Sequence, residues 1–150
     1  MSLETFHDDV LLWLLGALKP SRVFVLGVNA PQGGGKTTLA AALCKRLEAI
    51  GKRAVSISVD DYYLTRSEQV AVAERHPGNP YLQQRGYPGT HDVELGSRTL
   101  DALRSASAGR VLIPRYDKSA HGGLGDRAPE AGWQRISTPL DVVIFEGWRS

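Results

Sequence analysis

Residues Ala30-Pro-Gln-Gly-Gly-Gly-Lys36-Thr37 constrain this chain more than any other stretch. They fit the spacing of a phosphate-cradling loop: a small residue, four more, then Gly-Lys-[Ser/Thr], with Ala30 in the first glycine position. The flanks agree with that reading. Val23-Phe-Val-Leu-Gly-Val28 is short, apolar and rich in β-branched residues, as expected of a strand covered on both faces in a parallel sheet. From Lys36 to Ile50 the apolar positions Leu39, Leu43, Leu47 and Ile50 recur on one helical side, with Gly51 just past the end. Arg53 to Val59 reads as a second strand, so residues 23–59 form a βαβ unit with a right-handed crossover expected. Backbone N–H groups of residues 32–37 and the positive end of the helix would then make an anion nest. Gly33, Gly34, Gly35, Lys36, Thr37 and Thr38 are its candidate residues. Lys36 is expected at the β- and γ-phosphates of a nucleotide, and the Thr37 hydroxyl on Mg²⁺.

The remaining pattern alternates helices with strands. Phe6, Val10, Leu14 and Leu18 recur every four residues, predicting a helix from Ser2 to Lys19 stopped by Pro20. A Thr65…Glu68 capping box opens another, closed at His76-Pro77-Gly78. Further elements are predicted near 97–106 (helix), 111–113 (strand) and 141–145 (strand ending at Glu146). Two polar, Pro/Gly-rich loops, 77–92 and 114–132, are too long to be mere connections, and loops of that length inside a domain are usually functional. Cys44, the single cysteine, lies among Leu39, Leu43 and Leu47 and reads as a small core residue.

Composition narrows the partners. With 23% charged residues, 42% hydrophobic ones and a net charge of +2, neither a disordered chain nor a polybasic nucleic-acid binder is indicated. The longest apolar run, Val10 to Leu18, is too short for a membrane span, and His7, Asp8 and Asp9 before it carry the wrong charge for an export signal. A cytoplasmic protein without membrane or nucleic-acid partners is expected; its oligomeric state is not legible.

A phosphate loop specifies a nucleotide and not a reaction. Transfer to an alcohol also needs a base beside the acceptor oxygen. In a parallel sheet the carboxyl ends of the strands share one edge, so Asp60 and Asp61 after the second strand, and Glu146 after the last, are the candidates. A small anionic acceptor further needs Arg or Lys to hold its carboxylate, and Arg85, Arg115, Lys118 and Arg127 all lie on the two long loops.

These residues resemble a known group. The phosphate loop, Ser58-Val-Asp60-Asp-Tyr-Tyr-Leu64, Arg85-Gly-Tyr-Pro-Gly-Thr-His91-Asp92, Ile113-Pro-Arg-Tyr-Asp-Lys-Ser119 with Gly125-Asp126-Arg127, and Phe145-Glu-Gly-Trp148 occur in the order of the P-loop kinases related to uridine kinase, phosphoribulokinase and pantothenate kinase. Within that group they look most like glycerate 3-kinases of the plant and cyanobacterial type. The resemblance implies an α/β P-loop NTPase fold, a parallel sheet flanked by helices, in one kinase domain over residues 1–150. That order is expected to stop short here, without the C-terminal strands and lid. It also implies ATP and Mg²⁺ as cofactors and a small anionic or polyhydroxy acceptor, D-glycerate first. By position, Lys36, Asp60 and Glu146 would be catalytic, with Asp60 the base, Asp61 second choice, and Glu146 with Thr37 on Mg²⁺. Asp61, Tyr63, Arg85, His91, Asp92, Tyr116, Lys118, His121 and Arg127 would surround the acceptor. Two alternatives stay open: a kinase for a nucleoside or pantothenate-like alcohol, and a nucleotide-timed regulatory ATPase or GTPase. Against the latter, the 150 residues contain no Asn-Lys-x-Asp guanine-reading motif.

Overall fold

The computed structural model describes residues 2–31, 33–105 and 107–147, apart from the Leu3 side chain. Trp148 and Gln32, both placed in motifs above, lie outside the described residues. The chain divides into two compact units, one of residues 1–58, 101–111 and 136–150, the other of residues 59–100 and 112–135.

Unit one is the phosphate-loop half. Helix α1 (Leu3–Ala17) starts at Ser2, whose side chain accepts the Thr5 N–H, and ends at Leu18. Strand β1 (Phe24–Asn29) leads through the glycine loop into α2 (Lys36–Ala49), followed by β2 (Ala54–Ser58). The last strand, β7 (Val142–Gly147), inserts between β1 and β2 and pairs in parallel with both. Its position explains its sequence: a central parallel strand is covered on both faces, and Val142, Val143 and Ile144 are fully buried. Leu14, Leu26, Ala40, Leu43, Leu47, Val142 and Ile144 form the core cluster. Cys44 is half-buried at its margin, and burial pushes its thiol pKa up. The register aligns Val28, Glu146 and Ser58, so the three carboxyl ends share one edge, as the parallel arrangement requires.

Unit two is built from shorter pieces. A 3-10 turn (Val59–Tyr62) carries Asp60 and Asp61, and α3 (Arg66–Arg75) begins at Thr65 with the capping box complete in both directions. The loop after α3 contains a 3-10 turn at Pro80–Leu82. Strands β4 (Tyr116–Asp117) and β5 (Asp126–Arg127) make a small antiparallel pair that organises the second loop. Helix α4 (Val93–Leu103) starts four residues earlier than predicted. The reason is local: the Asp92 carboxylate accepts the Leu95 N–H at 2.9 Å and caps the helix ahead of its apolar stretch. Strand β3 (Gly109–Ile113), most of which belongs to unit one, extends the predicted 111–113 segment and pairs with β6 (Gln134–Thr138), also mostly of unit one. Sequence reading missed β6, since Gln-Arg-Ile-Ser-Thr holds one large apolar residue and leaves no clear alternation.

Candidate active site

In unit one the glycines shape the nest for different reasons. Gly35 is the N-cap of α2 at φ +75°, a left-handed conformation that only glycine adopts without strain. Gly34 is constrained by space: a Cβ there would lie 2.9 Å from the Pro31 carbonyl oxygen and 3.2 Å from the Ala30 Cβ. Gly33 also has positive φ. The first intrahelical bond of α2 runs from Leu39 N–H to the Gly35 carbonyl. The N–H groups of Gly35, Lys36, Thr37 and Thr38 therefore have no intrahelical partner and face an incoming anion at the positive helix end. The expected nest changes in one detail, since Gly34 N–H donates to the Pro31 carbonyl at 3.0 Å and belongs to the loop itself.

The Lys36 side chain is buried, and its ammonium donates to the Ala30 and Pro31 carbonyls at 2.9 and 3.0 Å. An ammonium has three protons, so one is left for a phosphate oxygen. Thr37 Oγ1 donates to Glu146 Oε1 at 3.3 Å, joining residues 109 positions apart. Glu146 itself is buried. A hydroxyl and a carboxylate oxygen side by side suit a hard divalent cation, and Mg²⁺ is typically held by one or two protein oxygens plus waters and phosphates. Among the described residues there is no group of three or more His, Cys, Asp or Glu that could hold a metal ion.

Unit two brings most of the predicted acceptor residues together. Lys118 Nζ lies 2.6 Å from Asp60 Oδ2. Asp61 accepts Arg115 Nη1 at 2.9 Å and the Tyr116 N–H at 3.2 Å, and Arg115 also donates to Gln134 Oε1. Arg127 Nη2 donates to Asp92 Oδ2 and to the Tyr63 carbonyl, both at 3.0 Å. Arg85 donates to the Gly123 and Leu124 carbonyls, and its guanidinium lies 5.6 Å from the centre of the Tyr116 ring.

Aromatic rings line the same unit. Tyr63 stacks on His91 with centroids 4.5 Å apart and meets Tyr116 edge-on at 5.3 Å. Burial lowers the His91 pKa below its ordinary 6.5, opposed by the Asp60 charge and by a hydrogen bond to the Tyr87 backbone. That bond raises the pKa, so the imidazole donates it. His91 Nε2 is buried and has no partner, so the donor is Nδ1–H and Nε2 carries a bare lone pair.

His121, at φ +53°, sits with Nε2 3.0 Å from Asp126 Oδ2, so its ring is engaged within the loop. Asp126, inside the Gly-Asp-Arg motif, is a further polar centre of this loop beyond the candidate residues that the sequence marks. Its Oδ1 accepts both the Arg66 and Arg127 N–H groups at 2.8 Å. Burial pushes the Asp126 pKa up, but bonds from Arg66, His121 and Arg127 outweigh it and hold the carboxyl below its usual value.

The glycine loop between a parallel strand and a helix, with a strand-end acid on its threonine, is a P-loop nucleotide-binding arrangement. In fold the chain is similar to the solved structures of a possible uridine kinase from Bacillus stearothermophilus (TM-score 0.72, 24% identity, 99% of this chain and 72% of that one) and of phosphoribulokinase from Rhodobacter spheroides (TM-score 0.53, 15% identity, 86% of this chain and 44% of that one). Its relatives carry the comparison further. The chain is 44% identical over 126 residues to the chloroplastic D-glycerate 3-kinase of Arabidopsis thaliana, covering 83% of this chain and 28% of that protein. The solved D-glycerate 3-kinase of Cryptococcus neoformans var. grubii matches with a TM-score of 0.80 at 37% identity, over 96% of this chain and 50% of that one. An uncharacterized kinase of Schizosaccharomyces pombe is 46% identical, covering 98% of this chain and 54% of that protein. No family model matches the chain. The chain spans about half the length of the first of these yeast and fungal relatives and less of the plant enzyme.

Proposed function

We propose that this chain carries the ATP- and acceptor-binding residues of a kinase that transfers the γ-phosphoryl of ATP to a hydroxyl of a small metabolite, the 3-hydroxyl of D-glycerate. The likeness to proteins named D-glycerate 3-kinase supports the acceptor. The observation that carries the alcohol-phosphorylating class is the buried Nε2 of His91, an acceptor with no donor, in the same unit as the acid pair Asp60/Asp61. A substrate hydroxyl is the group that supplies such a donor. A nucleotide-timed switch has no use for it.

The roles follow from chemistry. The N–H groups at the start of α2 and the third proton of Lys36 neutralise the charge that builds on the phosphate oxygens, and being fixed beforehand they need no reorganisation during transfer. Mg²⁺, held by Thr37 and Glu146, would supply further charge neutralisation at the phosphates. Asp60 orients the acceptor hydroxyl and takes its proton. His91 accepts a hydroxyl hydrogen bond, and neutrality at pH 7 is what makes its Nε2 an acceptor. Arg115 and Arg127, engaged with Asp61 and with Asp92, position those carboxylates, and Asp92 caps α4. Tyr63 and Tyr116 form the apolar wall beside His91.

We place this activity in the cytoplasm, with residues 1–150 acting in one kinase domain and no nucleic-acid or membrane partner. No helix among the described residues is long and apolar enough to cross a membrane. The test is Mg-ATP consumption without acceptor and then with D-glycerate, L-glycerate, uridine and pantothenate in turn. ADP release dependent on D-glycerate is expected. Release that ignores every acceptor overturns the kinase reading in favour of a timer, and dependence on uridine or pantothenate moves the acceptor.

A further inference from the structure

Four cations lie on the two loops of unit two, and the structure separates them by what they already hold. Arg115 is engaged by Asp61 and Gln134, Arg127 by Asp92 and the Tyr63 carbonyl, and Arg85 by two loop carbonyls and the Tyr116 ring. All three guanidinium groups keep spare N–H donors, but each is placed by two or more ties of the loops themselves. Arg115 is 40% exposed, and Arg127 is 12% exposed with its Nε–H buried and without a partner among the described residues. Lys118 differs: its side chain is 60% exposed, and among the described residues its one polar partner is Asp60 Oδ2 at 2.6 Å. That contact occupies one of three ammonium protons, leaving two for another acceptor.

We infer that Lys118 is the residue that selects a carboxylate-bearing acceptor, by bridging the acceptor's carboxylate to the Asp60 side chain. This rests on the phosphotransfer reading above and adds the residue that reads the acceptor's carboxylate. Two arguments carry it. An anionic acceptor brought to the Asp60 carboxylate meets like charge, and an ammonium between the two turns that repulsion into a shared attraction. The reach also fits. A carboxylate oxygen at ordinary charge-assisted distance from Lys118 Nζ lies within about 5.5 Å of Asp60 Oδ2. A three-carbon chain spans that gap between its carboxylate and a terminal hydroxyl directed at Asp60. A neutral polyol gains from Lys118 only a hydrogen bond without the charge attraction, and a long acid does not fit the same span. Lys118 thus links recognition to chemistry, because the group that reads the carboxylate is the one beside the base.

The experiment compares wild type, Lys118→Met and Lys118→Arg in the full-length protein, using D-glycerate against glycerol, which lacks the carboxylate. The wild type is expected to prefer D-glycerate. In Lys118→Met the KM for D-glycerate should rise about 10- to 100-fold, the loss expected of one hydrogen bond between charged groups, and the ratio of kcat/KM for D-glycerate over glycerol should fall accordingly. Lys118→Arg should recover part of the preference. An unchanged KM and ratio in Lys118→Met, with wild-type turnover of D-glycerate intact, overturn the Lys118 assignment alone. A wild type that phosphorylates no hydroxy acid overturns both this assignment and the function it rests on.

Discussion

Under the proposed function the two units would meet their ligands by different physical means. In the phosphate-loop unit the groups available to a ligand are mostly backbone: N–H groups at the start of α2, aligned by a helix and given room by glycines. In the other unit they come from side chains whose partners lie 35 to 58 positions away, as in Arg127–Asp92, Arg115–Asp61 and Lys118–Asp60. A backbone cradle is set by local sequence and tolerates little variation. A side-chain network can be altered one tie at a time, so the first arrangement suits an invariant phosphate and the second suits a variable acceptor.

Substitutions can break or sharpen that contrast. The largest effect is expected from Lys36→Ala, which removes the charge at the phosphates and should take turnover below detection while the melting temperature stays near wild type. Turnover that survives would mean that the loop does not cradle ATP. Asp60→Asn should lower kcat by about 10²–10⁴-fold with nucleotide binding retained, measured by steady-state kinetics and ATP titration. A near-normal kcat would shift the base to Asp61.

Arg127→Met should act chiefly on stability. It strips Asp92 of its cation and the Tyr63 carbonyl of its donor within a part-buried tie, at a cost of about 2–3 kcal/mol. A fall in Tm of roughly 5–10 °C by calorimetry is expected. An unmoved Tm combined with a large rise in acceptor KM would show Arg127 to be a substrate contact instead.

His91 supplies a pH test of smaller size. Burial holds its folded pKa below the unfolded 6.5, so between those values the unfolded chain takes up a proton that the folded one refuses. Stability therefore declines as the pH falls through that window, and acceptor KM rises as Nε2 gains a proton. His91→Phe should abolish the KM rise between pH 7 and 5. Thr65→Ala is the smallest change, about 1 kcal/mol from the lost helix cap, with no effect on the chemistry.

The same contrast decides what could be read in advance. The βαβ segment, the capping box at Thr65 and the buried strand ending at Glu146 were legible because periodicity and capping are properties of neighbouring residues. Asp60, Asp61, His91 and Asp92 could be named as candidates from motifs, but their bonds could not. Arg85, Arg115, Lys118 and Arg127 looked alike as cations on polar loops, and only their partners tell them apart. The start of α4 was misplaced because a capping carboxylate outweighed the apolar pattern, and β6 was missed because its pattern is faint. Asp126 gave no sign beyond its place in a motif, since two of its bonds come from backbone N–H groups.

The sequence by itself determined the phosphate loop, the parallel α/β frame around it and the chemical types of residue available to an acceptor. These depend on local spacing and on the alternation of apolar residues, which the chain displays directly. Tertiary structure alone decided that β7 lies between β1 and β2, that Thr37 meets Glu146, which partner each of the four loop cations holds, and that His91 keeps a buried lone pair. Those outcomes depend on which distant groups approach within hydrogen-bonding range and which lose water. Only packing fixes them.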